Sequence, residues 1–205
     1  MRLPEKALKN IRGKTLIKLL IDRLSLSKEI DDVLIATSTN SKNKKLVKYL
    51  KDNNIKVFQG SENNVLKRYY DASKKNNSNI IIRITGDCPL IDPQLIDKFL
   101  RIFKKKKVDY LNNIYPPTFP DGLDIEIFSF QALKKTYKLA KTQYDKEHVT
   151  PFMQNSKTLK KLNIKSKIDY SKIRLTVDEK EDIEVLKLVI KHFGSKLNFN
   201  LKDLI

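Results

Sequence analysis

One stretch of the sequence decides the predicted fold, and it is Ile80-Ile81-Ile82-Arg83-Ile84-Thr85-Gly86-Asp87-Cys88-Pro89-Leu90-Ile91-Asp92-Pro93. Its apolar opening is typical of a strand that is buried on both faces of a parallel sheet. Gly86 and Pro89 end that strand, and the apolar residues that follow have helical spacing. Asp87 is therefore predicted at the carboxyl end of a central strand, where open α/β sheets bind their ligands.

Two interpretations of Asp87 follow from this local pattern. It is a candidate ligand for a Mg²⁺ ion that carries a nucleotide phosphate, because this ion prefers oxygen donors. It can equally be an aspartate that only caps the turn before the helix, since Asp is common in such turns.

Strands and helices alternate along the chain before this stretch. Amphipathic helices are predicted from Thr15, around residues 46–50 and over residues 64–75, and buried strands over residues 32–37 and 55–58. An alternation at intervals of roughly 20–30 residues favours a parallel sheet with helices on both faces and right-handed crossovers. We therefore expect an α/β fold and a single domain over residues 1–205.

The pattern changes after residue 107. A strand is predicted over residues 108–112, and three prolines exclude regular structure over residues 115–122. Residues 123–128 alternate apolar and acidic side chains, which places Asp124 and Glu126 on one face of a strand. Two predictions are open for these acids: they bind hydroxyl groups of a sugar-like acceptor, or they face solvent on an edge strand. Helices over 130–140, from 147 and over 179–193, and strands over 162–164 and 174–178, complete the prediction.

Three more charged residues are candidates for phosphate chemistry. Arg2 and Lys6 flank a Leu-Pro turn and are suited to a triphosphate, Arg by bidentate contact and Lys as a point charge. Asp178 ends the last predicted strand and can hold Mg²⁺ together with Asp87 at the same sheet edge, or it can cap the last helix. Arg2 and Lys6 can also be ordinary surface cations.

Composition limits the other classes of function. The net charge of +18 invites a nucleic-acid partner, but the lysines are spread along the chain and no RNA-binding or zinc-spacing motif accompanies them. The single cysteine, Cys88, is expected to be a small buried residue, and no apolar run is long enough to span a bilayer. We expect no nucleic-acid partner, no membrane partner and a cytoplasmic location.

Six motifs in order carry a resemblance to a known family. They are Arg-Leu-Pro-x-Lys-x-Leu (2–8), Gly-Ser-x-x-x-Val-Leu-x-Arg-Tyr-Tyr (60–70), Arg-x-Thr-Gly-Asp-Cys-Pro-Leu-Ile-Asp-Pro (83–93), Phe-Pro-Asp-Gly-Leu-Asp-x-Glu-x-Phe (119–128), Glu-His-Val-Thr-Pro (147–151) and Arg-x-Thr-Val-Asp (174–178). The chain resembles the cytidylyltransferases of spore-coat polysaccharide biosynthesis, which are related to the synthetases of CMP-sialic acid and CMP-deoxyoctulosonate. The resemblance covers nearly the whole sequence.

The resemblance implies a Rossmann-like, three-layer, glycosyltransferase-A-type fold with a mostly parallel sheet. It also implies a Mg²⁺-dependent nucleotidyltransferase that uses CTP, a sugar or sugar-acid acceptor and release of pyrophosphate, in an enzyme that is often a homodimer. Carried over by position, Lys6, Asp87 and Asp178 are catalytic, and both aspartates hold the metal. The resemblance implies that the nucleotide is bound by Arg2, Lys6, Gly60, Ser61, Arg68, Thr85 and Gly86. It also implies that the acceptor is bound within residues 108–170, by Asp121, Asp124, Glu126, Glu147 and His148.

One part of the family pattern is missing. Family members carry a strand and a Gly-containing loop just before the Arg-Leu-Pro-x-Lys segment, where this sequence has Met1. The domain is therefore expected to be incomplete at its amino terminus. Two alternatives to the cytidylyltransferase stay open: a glycosyltransferase on the same kind of sheet, and a truncated, non-catalytic nucleotide-binding subunit.

Overall fold

The computed structural model describes residues 5–194 and 196–205. Its helices are α1 (Leu16–Leu24), α2 (Lys44–Asp52), α3 (Val65–Lys75), α4 (Pro93–Lys106), α5 (Phe130–Leu139), α6 (Gln143–His148), α7 (Pro151–Asn155), α8 (Lys180–Phe193) and α9 (Leu201–Leu204). Its strands are β1 (Asn10–Ile11), β2 (Lys14–Thr15), β3 (Ile35–Ser38), β4 (Val57–Gly60), β5 (Ile80–Arg83), β6 (Tyr110–Asn112), β7 (Glu126–Ser129) and β8 (Lys161–Asn163). A 3₁₀ turn over Lys6–Leu8 precedes β1.

Local sequence explains where the main helices begin. The Thr15 side chain accepts a hydrogen bond from the Lys18 amide and caps α1, and Asn64 caps α3 in the same way. Such caps satisfy amide groups that have no partner within the helix. Asp92 caps α4, whose first residue is Pro93, a residue suited to that position by its fixed φ. The predicted helices at these places are confirmed.

The strands form a mixed arrangement. β3 and β4 pair in parallel, and a four-stranded sheet has the order β5-β7-β6-β8. In that sheet β7 runs antiparallel to β5 and β6, while β6 and β8 are parallel, so only β7 is reversed. The connection from β6 to β7 contains no helix, the element that usually joins neighbouring parallel strands. The predicted α/β class and mostly parallel sheet are thus observed, but the neighbour of β5 is the antiparallel β7.

Side chains of the four-stranded sheet alternate between two hydrophobic layers. Leu111 and Ile127 pack with residues of α1 and α4 on one face. Tyr110 and Phe128, their neighbours in sequence, pack with residues of α3, α5 and α7 on the other. A third cluster joins α1 to α8 and the carboxyl-terminal segment. Helices therefore cover both faces of the sheet, as the three-layer prediction requires.

Several predicted boundaries are wrong. The strands predicted over 32–37, 55–58 and 123–128 begin two or three residues later and end one or two residues later, at β3, β4 and β7. Residues 174–178 do not form a strand: within the described residues they make one isolated bridge, between Asp121 and Arg174, because they lie against a loop. The helix predicted from residue 147 is interrupted at Val149, whose φ is 73°, and resumes at Pro151. No helix of the described residues has the length and apolar character needed to cross a membrane.

Candidate active site

Lys6 lies at the centre of a cluster formed by segments that are distant in sequence. Its Nζ atom is 3.3 Å from Oδ2 of Asp87 and 2.7 Å from Oδ1 of Asp178. It also donates to the carbonyl oxygen of Val177 at 3.1 Å. The expected convergence of Asp87 and Asp178 beside the basic amino-terminal turn is therefore observed, with Lys6 as the cation between them.

The turn after β5 positions Asp87. The Cys88 amide donates to the carbonyl of Thr85 at 3.2 Å, and Asp92, five residues further on, caps the following helix. The cap of the helix that follows this turn is therefore Asp92, while Asp87 lies in the turn itself. Burial opposes ionisation of Asp87, but a hydrogen bond from Thr85 and the charge of Lys6 prevail and lower the pKa of this carboxyl group. A negative charge on Asp87 is therefore favoured.

A main-chain hydrogen bond brings Asp178 to the same place. The Val177 amide donates to the carbonyl of Asp87 at 2.9 Å, which fixes the two segments side by side. Glu179 and Asp182 form the capping box of α8, so the Asp178 carboxylate is not used as the helix cap. It contacts Lys6 and, at 3.7 Å, the guanidinium of Arg174.

Gly122 lets the loop before β7 approach the segment that carries Asp178. Its φ of 103° is one that side chains rarely adopt, and a Cβ atom there would lie 2.7 Å from the carbonyl carbon of Leu175 and from the amide nitrogen of Thr176. The Leu175 amide donates to the carbonyl of Asp121 at 2.7 Å, and Thr176 Oγ1 lies 3.2 Å from Asp121 Oδ2. Asp121 therefore joins this loop to the segment of Asp178.

Asp124 follows Gly122 closely and has an unusual charge environment. Burial raises the pKa of Asp124 to about 6, and the negative charges of Asp121, Glu126 and Asp87 add to the effect, while Arg83 acts against it. Asp124 lies just before β7 and not within it, so its placement on a strand face with Glu126 is wrong. Its carboxyl group changes charge close to neutral pH, as suits a proton acceptor.

We expect Asp124→Asn to stabilise the fold in a pH-dependent way. Because the folded-state pKa is above the unfolded one, protonated Asp124 favours folding below about pH 4, and this contribution is lost as the pH rises through about 6. At about pH 8 the variant should gain up to about 3 kcal/mol in free energy of unfolding, and almost nothing at about pH 4. Urea unfolding at the two pH values measures the difference. Asp31→Asn, at an exposed aspartate, is the matched control; a gain independent of pH would contradict the explanation.

Glu126 is buried and has its partners within the protein. Its side chain is 1% exposed, and one carboxylate oxygen pairs with Nη1 of Arg83 while the other accepts from the Tyr110 hydroxyl at 2.5 Å. Both carboxylate oxygens are used inside the protein, and contact of Glu126 with acceptor hydroxyl groups stays a prediction that this arrangement does not support. The other alternative from the alternating pattern, exposure to solvent on an edge strand, is wrong for Glu126.

The residues predicted to bind nucleotide lie beside the ends of β4 and β5. Gly60 ends β4, and a Cβ atom there would approach Cγ of Arg68 to 3.0 Å. Nη1 of Arg68 donates to the carbonyl of Ser61 at 2.8 Å, so these three residues lie together, and their binding of nucleotide stays a prediction. Thr85 and Gly86 lie in the turn between β5 and Asp87.

The remaining candidate residues of the sequence analysis lie apart from the cluster around Lys6 or outside the described residues, except Cys88, which follows Asp87. Glu147 and His148 are exposed on α6, where the His148 ring lies 4.5 Å from that of Tyr144. Among the described residues, neither makes a hydrogen bond to another predicted site residue. Arg2 lies outside the described residues. Cys88 is buried, as expected, and burial raises the pKa of its thiol, which disfavours a nucleophilic thiolate.

The residue types at this site fit Mg²⁺. Asp87 and Asp178 offer carboxylate oxygens on either side of one cation, the lysine ammonium. No group of three or more metal-binding side chains occurs in the part of the chain that the structure describes. Mg²⁺ commonly takes only one or two protein carboxylates and fills its other positions with phosphate and water. The pair is therefore suited to a metal that arrives with a nucleotide.

Sequence reasoning missed the role of Arg83 and Tyr110. Together they hold the buried Glu126 next to the candidate site. The signal was present in the deciding stretch, because an arginine within an apolar strand is rarely buried without a carboxylate partner. The sequence did not indicate which carboxylate that would be.

Known proteins are similar to this chain in both fold and sequence. A structure of a cytidylyltransferase from Leptospira borgpetersenii is 35% identical, with a TM-score of 0.93 over 99% of this chain and 86% of that one. The spore coat polysaccharide biosynthesis protein SpsF of Bacillus subtilis is 30% identical over 100% of this chain and 87% of its own length. A synthetase of CMP-2-keto-3-deoxy-manno-octonic acid, solved with CTP, has the same fold at 15% identity, with a TM-score of 0.70 over 93% of each chain.

Fold and site together define the class as a nucleotidyltransferase with a Rossmann-like sheet. The family model described as "Cytidylyltransferase" matches residues 1–199. This chain therefore belongs to the cytidylyltransferase family.

Proposed function

We propose that this protein is a Mg²⁺-dependent cytidylyltransferase that transfers CMP from CTP to a sugar or sugar acid and releases pyrophosphate. The observation that carries the proposal is the contact of Lys6 with both Asp87 and Asp178. The name of the Bacillus subtilis relative supports a role in surface polysaccharide biosynthesis. The synthetase solved with CTP supports that nucleotide and a sugar-acid acceptor.

The reaction is a substitution at the α-phosphorus of the nucleotide. An acceptor hydroxyl oxygen forms a bond to that phosphorus, and the bond to the oxygen that bridges to the β-phosphate breaks. The electron pair of the broken bond leaves with pyrophosphate. The hydroxyl proton passes to a base, for which we propose Asp124, because its carboxyl group is ionised above a pKa of about 6.

The positive charges of the chain would hold the triphosphate. Lys6 supplies a point charge for the leaving phosphates, and Arg2 and Arg68 are proposed to bind the nucleotide beside Gly60, Ser61, Thr85 and Gly86. Mg²⁺, held by Asp87 and Asp178, would neutralise phosphate charge when it is bound. Positioning and charge neutralisation then supply most of the rate enhancement.

The acceptor is proposed to bind on the side of residues 108–170. Asp121 and Asp124 lie in the loop that contacts the Asp178 segment, and this contact supports the proposal. Glu147 and His148 on α6 stay proposed contributors, since both are exposed and available to a ligand. Single-domain organisation, a cytoplasmic location and a homodimer complete the proposal.

Pyrophosphate release tests the function directly. The protein is incubated with Mg²⁺, a panel of sugar acids and each of the four nucleoside triphosphates, and we expect release that requires both CTP and one acceptor. Calorimetry with CTP and Mg²⁺ measures binding separately. Binding without turnover on any acceptor would indicate a non-catalytic subunit, and release of free nucleotide from a nucleotide-sugar would indicate a glycosyltransferase. Either result would contradict the proposal.

A further inference from the structure

The ammonium group of Lys6 has all of its hydrogen-bond donors in use within the protein. A lysine ammonium has three N–H donors. Those of Lys6 donate to Oδ2 of Asp87 at 3.3 Å, to the carbonyl oxygen of Val177 at 3.1 Å and to Oδ1 of Asp178 at 2.7 Å. Because all three donors are used, Lys6 must leave at least one of these partners before it can donate to a phosphate oxygen.

The same contacts place a cation where the two candidate metal ligands meet. Nζ of Lys6 lies within 3.3 Å of a carboxylate oxygen of each aspartate. The side chains of Lys6, Asp87 and Asp178 are 26%, 27% and 35% exposed, so water only partly screens their charges. The ammonium therefore neutralises negative charge that would otherwise attract a divalent cation.

Main-chain hydrogen bonds hold the two aspartates in place independently of Lys6. The Val177 amide donates to the Asp87 carbonyl at 2.9 Å, and the Asp178 amide donates to Oδ2 of Asp182 at 2.8 Å. Lys6 belongs to a three-residue 3₁₀ turn and reaches the acids through a flexible four-carbon stem. The ammonium can therefore leave while the two carboxylates stay side by side.

We infer that Lys6 is an internal counter-ion that competes with a divalent cation for Asp87 and Asp178. While the ammonium lies between the two carboxylates, it weakens the binding of a metal there. A triphosphate offers the ammonium other oxygens to contact, and the carboxylates then become available to the metal. This exchange with phosphate rests on the proposed function, whereas the competition with a bare cation does not.

Titration with Mn²⁺ in the absence of nucleotide tests the competition. Mn²⁺ prefers oxygen ligands as Mg²⁺ does, and paramagnetic resonance measures the free ion. Lys6→Met keeps a long unbranched side chain and removes its charge. We expect the dissociation constant for Mn²⁺ to fall at least about tenfold in this variant, because repulsion by the ammonium is lost. Lys45→Met removes an exposed ammonium that pairs with Glu5 at 3.0 Å, and as the matched control it should leave the constant unchanged.

A second variant assigns the metal to this pair of acids. Adding Asp87→Asn to Lys6→Met should remove the gain in Mn²⁺ affinity, because one of the two carboxylates is lost. A gain that survives this addition would overturn the inference. An affinity in Lys6→Met that equals the wild-type value or is weaker would also overturn it.

Thermal unfolding gives an independent measurement. Mg²⁺ should raise the Tm more in Lys6→Met than in the wild type, since a cation that binds the folded state more tightly stabilises it more. An equal rise in the two proteins would overturn the inference.

The metal titration and the pyrophosphate assay can fail separately. Wild-type turnover together with an unchanged Mn²⁺ affinity in Lys6→Met would overturn the inference and leave the proposed function in place. Tighter Mn²⁺ binding in Lys6→Met without turnover of the wild type on any acceptor would support the competition and contradict the proposed function.

Discussion

Asp87→Asn is expected to reduce CTP-dependent pyrophosphate release by at least about a hundredfold. The amide keeps the shape of the carboxylate but removes the negative charge that Lys6 contacts at 3.3 Å and that a metal would need. The main-chain bond from the Val177 amide to the Asp87 carbonyl does not depend on the side chain, so the fold should persist. The measurement is kcat and KM for CTP at saturating acceptor, with circular dichroism to verify folding.

A matched change elsewhere separates loss of charge from loss of the metal site. Asp52→Asn removes an exposed carboxylate that pairs with Lys48 at the end of α2, and it should leave turnover unchanged. Asp178→Asn should resemble Asp87→Asn, and the double variant should lose little more, because residues that act as a unit are not additive. Near-normal turnover of folded Asp87→Asn would remove Asp87 from the metal role.

Arg83→Met is expected to lower the free energy of unfolding by about 3–5 kcal/mol, because it leaves a buried carboxylate without its cation. Glu126 is 1% exposed and has Arg83 as its charged partner in the structure. Burial alone would lower the pKa of Arg83, but the charge of Glu126 prevails and raises it, so a charged guanidinium is favoured. Urea unfolding near neutral pH measures the effect.

A surface arginine gives the matched control for this second variant. Arg101 lies 3.7 Å from Glu29 and is 60% exposed, so Arg101→Met should cost less than about 1 kcal/mol. Adding Glu126→Gln to Arg83→Met removes the uncompensated charge and should recover most of the lost stability. Equal losses in Arg83→Met and Arg101→Met would show that the buried pair does not stabilise the fold.

The position of Asp87 in the fold could be predicted because a motif and a strand end coincide there. Asp87 follows the apolar run of β5, and its place at the carboxyl end of a strand could be predicted from that run alone. The environment of Glu126 could not, because alternation with apolar residues fits a solvent-facing acid as well as a buried one. Its burial depends on Arg83 and Tyr110, which reach it from two other strands.

Local patterns in the chain determined the amphipathic helices, their caps and the α/β class, because these features depend on residues within one or two turns of each other. They also supplied Lys6, Asp87 and Asp178 as candidates. The contact between Lys6 and Asp178 and the isolated bridge in place of a strand at Arg174 were decided by tertiary packing. Each depends on segments that meet only after folding, and no short window of sequence contains both partners.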